Sequence, residues 1–143
     1  DYHSQNLMIC DDGTIGVLDF QDTSMGPMTY DVVSLLKDCY MNHSATHIHS
    51  WAVAYYHNHV SHSHQLSEDD FLRLFHHMGL QRHLKALGTF ARAFAHGDSR
   101  FLCAIQQTQT YIASLMSNGQ IFQSSTPWIN PWITAKLPNK PLS

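Results

Sequence analysis

Residues 1–36 contain no lysine and no arginine. The same stretch holds six carboxylates: Asp1, Asp11, Asp12, Asp19, Asp22 and Asp31. An acidic, base-free segment suits a divalent cation better than a nucleic acid, whose backbone it repels. Charge is scarce in the chain as a whole, 13% against 43% hydrophobic residues, which excludes a disordered polyelectrolyte and predicts a globular chain. The three cysteines, Cys10, Cys39 and Cys103, are too few and too far apart for a disulfide framework or a cysteine-type metal site. They fall in apolar patterns and are expected to be buried free thiols of a reducing cytoplasm. No apolar run approaches the ~20 residues that cross a bilayer, so no membrane partner is expected. Residues 37–143 reverse the sign, with eight basic and five acidic side chains.

The 143 residues fit one domain with a core large enough to stand without disulfides. Asn6–Cys10 has the pattern of a short strand. Asp11-Asp12-Gly13-Thr14 supplies the Asp-Gly hairpin turn, and Ile15–Phe20 is predicted to return as a mostly buried strand. Gly26-Pro27 breaks the chain. Helical spacing follows over Tyr30–Tyr40 and Ala45–Val60. Ser67-Glu68-Asp69-Asp70 is a helix start, with a hydroxyl cap and acids in the first turn. Apolar positions then recur from Phe71 to Phe94, where Gly79 and Gly88 predict a break or a close helix contact. A last helix is expected over Arg100–Met116, closed by Asn118-Gly119. All but one of the prolines lie in 120–143, a segment with the look of an extended tail. The expected fold is mainly α with a small β-hairpin, and no internal repeat is visible.

The hairpin brings Asp1–Asn6, which lead in, beside Asp19–Asp22, which lead out. Magnesium-dependent phosphoryl transfer needs a carboxylate to take the proton of the attacking hydroxyl and oxygen ligands to hold the metal against the phosphates. Asp1 suits the first role, Asn6 and Asp19 the second. The pattern Asp1-x-His3-x-x-Asn6, with Leu18-Asp19-Phe20-x-Asp22 and Gly26-Pro27-x-x-Tyr30-Asp31, resembles the aminoglycoside phosphotransferase / choline kinase-like superfamily. His3 favours its small-molecule kinases, since protein kinases usually carry Lys or Arg there. Asp19-Phe-Gln-Asp22, Tyr30–Asp38 and Leu80–Arg92 further resemble the bacterial anomeric kinases of N-acetylmuramate and N-acetylglucosamine.

The resemblance covers about residues 1–117. It implies the C-terminal lobe of a protein-kinase-like α+β fold over 1–119, with the catalytic loop and metal-binding hairpin in 1–22, a helical subdomain over 28–119, and the tail beyond. It implies ATP and Mg2+ as cofactors, a small amino sugar as substrate, no nucleic-acid partner, and a cytoplasmic enzyme of cell-wall recycling. Carried over, Asp1 is the base and Asn6 and Asp19 the magnesium ligands. Asp22 would support the metal or accept a sugar hydroxyl, His3 would support the loop or reach a phosphate, and Asp31 would cap a helix or brace the loop. The N-terminal lobe, with the strand lysine and adenine hinge, would lie upstream, so the chain alone is expected to be inactive.

Two other readings stay open on the sequence. One is an aminoglycoside or amino-alcohol kinase, disfavoured by the net basic character of 37–143, because aminoglycoside sites are acidic. The other is non-catalytic: a metal-binding or interaction module built on the twelve histidines, notably His43, His47 and His49 with His57, His59, His62 and His64. On a helix His57 and His59 diverge, so a tolerant, solvated surface is the expected character of that stretch. His83 is expected to be packed or near substrate, and Trp128 and Trp132 to dock on the lobe or stay exposed.

Overall fold

A computed structural model describes residues 2–21, 24–62 and 65–119. Asp1, Asp22, His64, Trp128 and Trp132 lie outside them. The described chain is mostly helical with one two-stranded antiparallel sheet. It divides into two compact units, 1–78 and 79–143.

In the first unit a 3-10 turn, Ser4–Asn6, runs into strand β1, Leu7–Ile9, which pairs with β2, Ile15–Val17. The register sets Leu7 opposite Val17, Met8 opposite Gly16 and Ile9 opposite Ile15. Cys10 and Gly13 close the turn through a 2.9 Å bond from the Gly13 N–H to the Cys10 carbonyl. Gly13 has φ 80°, a left-handed conformation that a side chain resists. Asp12 accepts from the Thr14 N–H at 3.0 Å and from its hydroxyl at 2.7 Å, bonds that hold its carboxyl below the usual range. A Cβ at Gly13 would meet nothing within 4 Å. Gly13→Ala is therefore expected to lower stability by about 1 kcal/mol through the backbone alone, and Gly13→Asn by much less. Urea denaturation checks both.

The hairpin departs from its expected burial. Ile15, Val17, Leu18 and Phe20 are 66%, 43%, 48% and 70% exposed. A two-stranded ribbon buries a face only where another layer covers it, and among the described residues none covers this one.

Helix α1, Tyr30–Leu36, stops short of the predicted Tyr40, and α2 spans Ala45–Tyr55. A single π turn, Tyr56–Val60, continues α2. Val32, Val33, Ile48, Ala52, Tyr56, Val60, Phe71 and Phe75 form the core of this unit. Its centre is aromatic: Phe71 lies 5.6 Å from Tyr56 and 6.4 Å from Phe75 between ring centroids, in the range where such pairs add to area burial. The Tyr56 hydroxyl, at the edge of that cluster, donates to the Leu66 carbonyl at 2.8 Å.

Helix α3 spans Glu68–Ala95 without the break expected at Gly79 or Gly88. Ser67 caps it, accepting from the Asp70 N–H at 3.1 Å. Gly88 has open space around it, so no close contact explains it; apolar spacing on both sides outweighs the ~1 kcal/mol that a helical glycine costs. In the second unit Leu87, Phe90 and Phe94 of α3 are buried, as are Ala104, Ile105, Ile112 and Leu115 of α4, Leu102–Ser117. Gly97 at φ 89° turns the chain between them, and Asp98 accepts from the Arg100 N–H at 3.0 Å to start the 3-10 turn Ser99–Phe101. His83 is 2% exposed and stacked on Tyr111, rings 5.0 Å apart and 4° from parallel, so it is a packed residue. The three cysteines are free thiols, but Cys103 is exposed and Cys10 and Cys39 only half-buried; Cys10 and Cys39 fall just past the ends of β1 and α1. No helix of the described residues is long and apolar enough to cross a membrane.

Candidate active site

The hairpin's open end assembles the site. The Leu18 N–H donates to the Asn6 carbonyl at 2.8 Å, extending the ladder one pair beyond Leu7 and Val17. Asn6 thereby stands opposite Leu18, the residue before Asp19. Asn6 is half-buried and Asp19 exposed. Asp19 has φ 54°, the one non-glycine positive φ among the described residues. Asp tolerates this region better than most side chains, yet such backbones persist only where surroundings enforce them, often at functional positions. The turn it makes swings the chain out of the strand directly after Leu18.

On the lead-in side the 3-10 turn is fixed by two bonds. The Asn6 N–H donates to the His3 carbonyl at 2.9 Å, and the Leu7 N–H to Ser4. His3 is half-buried with its ring 6.2 Å from that of Tyr40. Burial, with Cys39 and Asp38 beside it, pushes the Tyr40 phenol up, so it remains protonated. Asp1 and Asp22 are outside the described residues. Asp31 lies in the first turn of α1, exposed, where an acid complements the helix dipole. Thr29 occupies the cap position ahead of it, without a side-chain cap bond.

The bond to the loop comes from a residue that sequence reasoning passed over. Asp38 is 3% exposed, and its Oδ2 accepts from the Ser4 N–H at 2.8 Å. A signal for it exists: an acid just past a helix C-terminus opposes the dipole and calls for another partner. Beside it Lys37 is 7% exposed. Its Nζ stands 3.2 Å from His76 Nδ1 and 4.7 Å from the Phe75 ring centroid. Burial lowers the Lys37 ammonium to about 7. Burial, then Lys37, His49 and His77, lower His76 to about 4, so His76 is a neutral acceptor.

Asn6 and Asp19 fit Mg2+: both are hard oxygen donors, and this ion is usually held by one or two protein carboxylates together with water and phosphate. The histidines do other things. His57 pairs with Glu68 at 2.9 Å, and His43 and His47 pack around Trp51 with centroids 5.1 and 5.4 Å away. No group of three or more His, Cys, Asp or Glu among the described residues is arranged to hold a metal.

Comparison with known proteins adds to this geometry. The sequence profile of the phosphotransferase enzyme family matches residues 1–66. An N-acetylmuramate/N-acetylglucosamine kinase of Pseudomonas aeruginosa is 37% identical over 120 residues, 82% of this chain and 35% of that protein. A kinase of the same name from Neisseria meningitidis is 40% identical over 96 residues, 66% of this chain and 28% of that protein. The chain thus spans about a third of the length of the curated relatives it matches. No solved structure matches it. With the loop, the hairpin and both described oxygen donors inside the matched segment, residues 1–66 of this chain belong to the phosphotransferase enzyme family.

Proposed function

We propose that this chain is the base- and magnesium-bearing part of an ATP-dependent kinase for a small amino sugar, N-acetylmuramate or N-acetylglucosamine, phosphorylated at its anomeric hydroxyl. The observation that supports the reading is the 2.8 Å bond between Leu18 and Asn6, which sets the end of Asp1-x-His3-x-x-Asn6 opposite the residue before Asp19. The names of the relatives support the substrate class. In this reading residues 1–119 are the C-terminal lobe of a kinase-like fold. The ATP-binding lysine and hinge belong to a further lobe of the complete protein, a cytoplasmic enzyme of peptidoglycan recycling.

Asp1 orients the sugar hydroxyl and accepts its proton as the new O–P bond forms and the bond from the γ-phosphorus to ADP breaks. Asn6 and Asp19 hold Mg2+, which when bound neutralises charge on the phosphates. His3 keeps the loop in shape or meets a phosphate oxygen, and Asp22 steadies the metal side or accepts a sugar hydroxyl.

The test is phosphorylation of each sugar by the complete protein with ATP and Mg2+, followed by phosphorus NMR. Asp1→Asn is expected to lower kcat by ~10²–10⁴-fold, the range of a positioned base. Full activity in that variant would overturn the assignment. The 143-residue chain by itself should turn over no ATP, and measurable turnover would refute the division of the site between two lobes.

A further inference from the structure

We propose that the buried Asp38 carboxylate is a positioning residue for phosphoryl transfer, holding Ser4 and Tyr40 by their backbone N–H groups and so fixing the loop that carries His3 and Asn6. This rests on the kinase reading above.

A carboxylate that is 3% exposed must be hydrogen-bonded or it is strongly destabilising. Asp38 satisfies each oxygen from a different segment. Oδ2 accepts from Ser4 at 2.8 Å, across 34 residues of sequence, and Oδ1 from Tyr40 at 2.9 Å. The Ser4 N–H opens the 3-10 turn Ser4–Asn6, where first-turn donors lack partners within the turn. Its own cap residue, His3, gives the turn no side-chain cap bond. Asp38 therefore caps the turn from a distance. It also draws the backbone of Tyr40 to the same point, and the Tyr40 ring is the one beside His3.

The consequence runs along the chain. Asp38 follows α1, whose Val32 and Val33 are in the core, so the carboxylate is anchored to the rigid part of the unit. From Ser4 the 3-10 turn passes the constraint to Asn6, and the Asn6 carbonyl passes it to Leu18, next to Asp19. Ser4 sits between the proposed base and the nearer metal ligand. A carboxylate bond there constrains the loop, and small shifts in such loops decide whether reacting groups meet. Sugar binding, which involves other contacts, is affected less.

The experiment is a double-mutant cycle in the complete protein with N-acetylmuramate, ATP and Mg2+, using Asp38→Asn and Ser4→Pro. Proline at Ser4 removes the N–H, and with it the hydroxyl, without breaking the backbone, because the position opens a helical turn and His3 ahead of it has φ −129° and ψ 168°, which proline accepts; Ser4→Ala, which loses the hydroxyl alone, is the control. Asp38→Asn is expected to lower kcat ~10-fold or more and to raise the Mg2+ requirement, with KM for the sugar within about twofold. The double variant should be no worse than the weaker single, within about twofold, because both act on the bond between Asp38 and Ser4. Unchanged kcat and Mg2+ dependence in the folded variants, or fully additive losses, would overturn the proposal. Should the wild-type protein phosphorylate no sugar, the kinase reading fails instead. Amide hydrogen exchange then tests the bonds by themselves: in Asp38→Asn, whose side chain keeps a single acceptor oxygen, protection lost at Ser4 or at Tyr40 upholds them, and unchanged protection at both refutes them.

Discussion

Asp19→Asn in the complete protein is expected to lower kcat by ~10²–10⁴-fold while leaving the fold intact. The loss is chemical. Asparagine keeps the shape and one oxygen but removes the negative charge proposed to hold Mg2+, and a neutral amide is a poor substitute beside the neutral Asn6. The fold survives because Asp19 sits at φ 54°, a region that asparagine tolerates as well as aspartate does. Asp19→Val separates the two effects, since a β-branched side chain resists this backbone and adds ~1–2 kcal/mol of strain to the lost charge. Steady-state kinetics over a range of Mg2+, with thermal unfolding of each variant, check both. Asp19→Asn with near-normal kcat would show that the metal is held elsewhere.

Lys37→Met is expected to stabilise the protein by about 1–3 kcal/mol at pH 7 and to flatten its stability above that pH. Lys37 is almost wholly buried, and among the described residues no carboxylate pairs with it. The His76 acceptor and the Phe75 ring face offset only part of the desolvation. The sign follows from linkage. In the folded chain Lys37 titrates near 7, far below its unfolded value, so between the two the unfolded chain binds more protons. The penalty is fully present below about 7 and disappears as pH rises toward ~10.4. His76 acts in the same direction lower down: stability is lost as pH falls from 6.5 to about 4. Wild-type stability should therefore climb with pH from about 4 upward, and the Lys37→Met curve should be flat above 7. Urea denaturation at intervals of one pH unit measures both. Parallel curves above pH 7 would show that Lys37 keeps its charge at no cost.

Much of this arrangement is legible in the sequence because it is local. The Asp-Gly turn forces the hairpin, and the hairpin sets Asn6 opposite Leu18. The Ser67 cap and the spacing of Phe71, Phe75, Leu87 and Phe94 likewise specify a helix, which ran on through Gly79 and Gly88 because no competing partner favours a break. Burial was less legible. Apolarity suggested that Ile15, Val17 and Phe20 are covered, but apolarity states what a side chain favours, and only the neighbouring layer decides whether it is met. The same holds for Cys103, exposed on a helix whose pattern reads as buried.

The sequence by itself determined the hairpin and the helices, because turn chemistry and apolar periodicity act over a few residues. The tertiary structure alone decided that Asp38 grips Ser4 and that Lys37 is buried against His76 and Phe75. Those contacts join residues more than thirty positions apart, and a carboxylate or an ammonium bears no mark of the backbone or ring it will meet until the chain has packed.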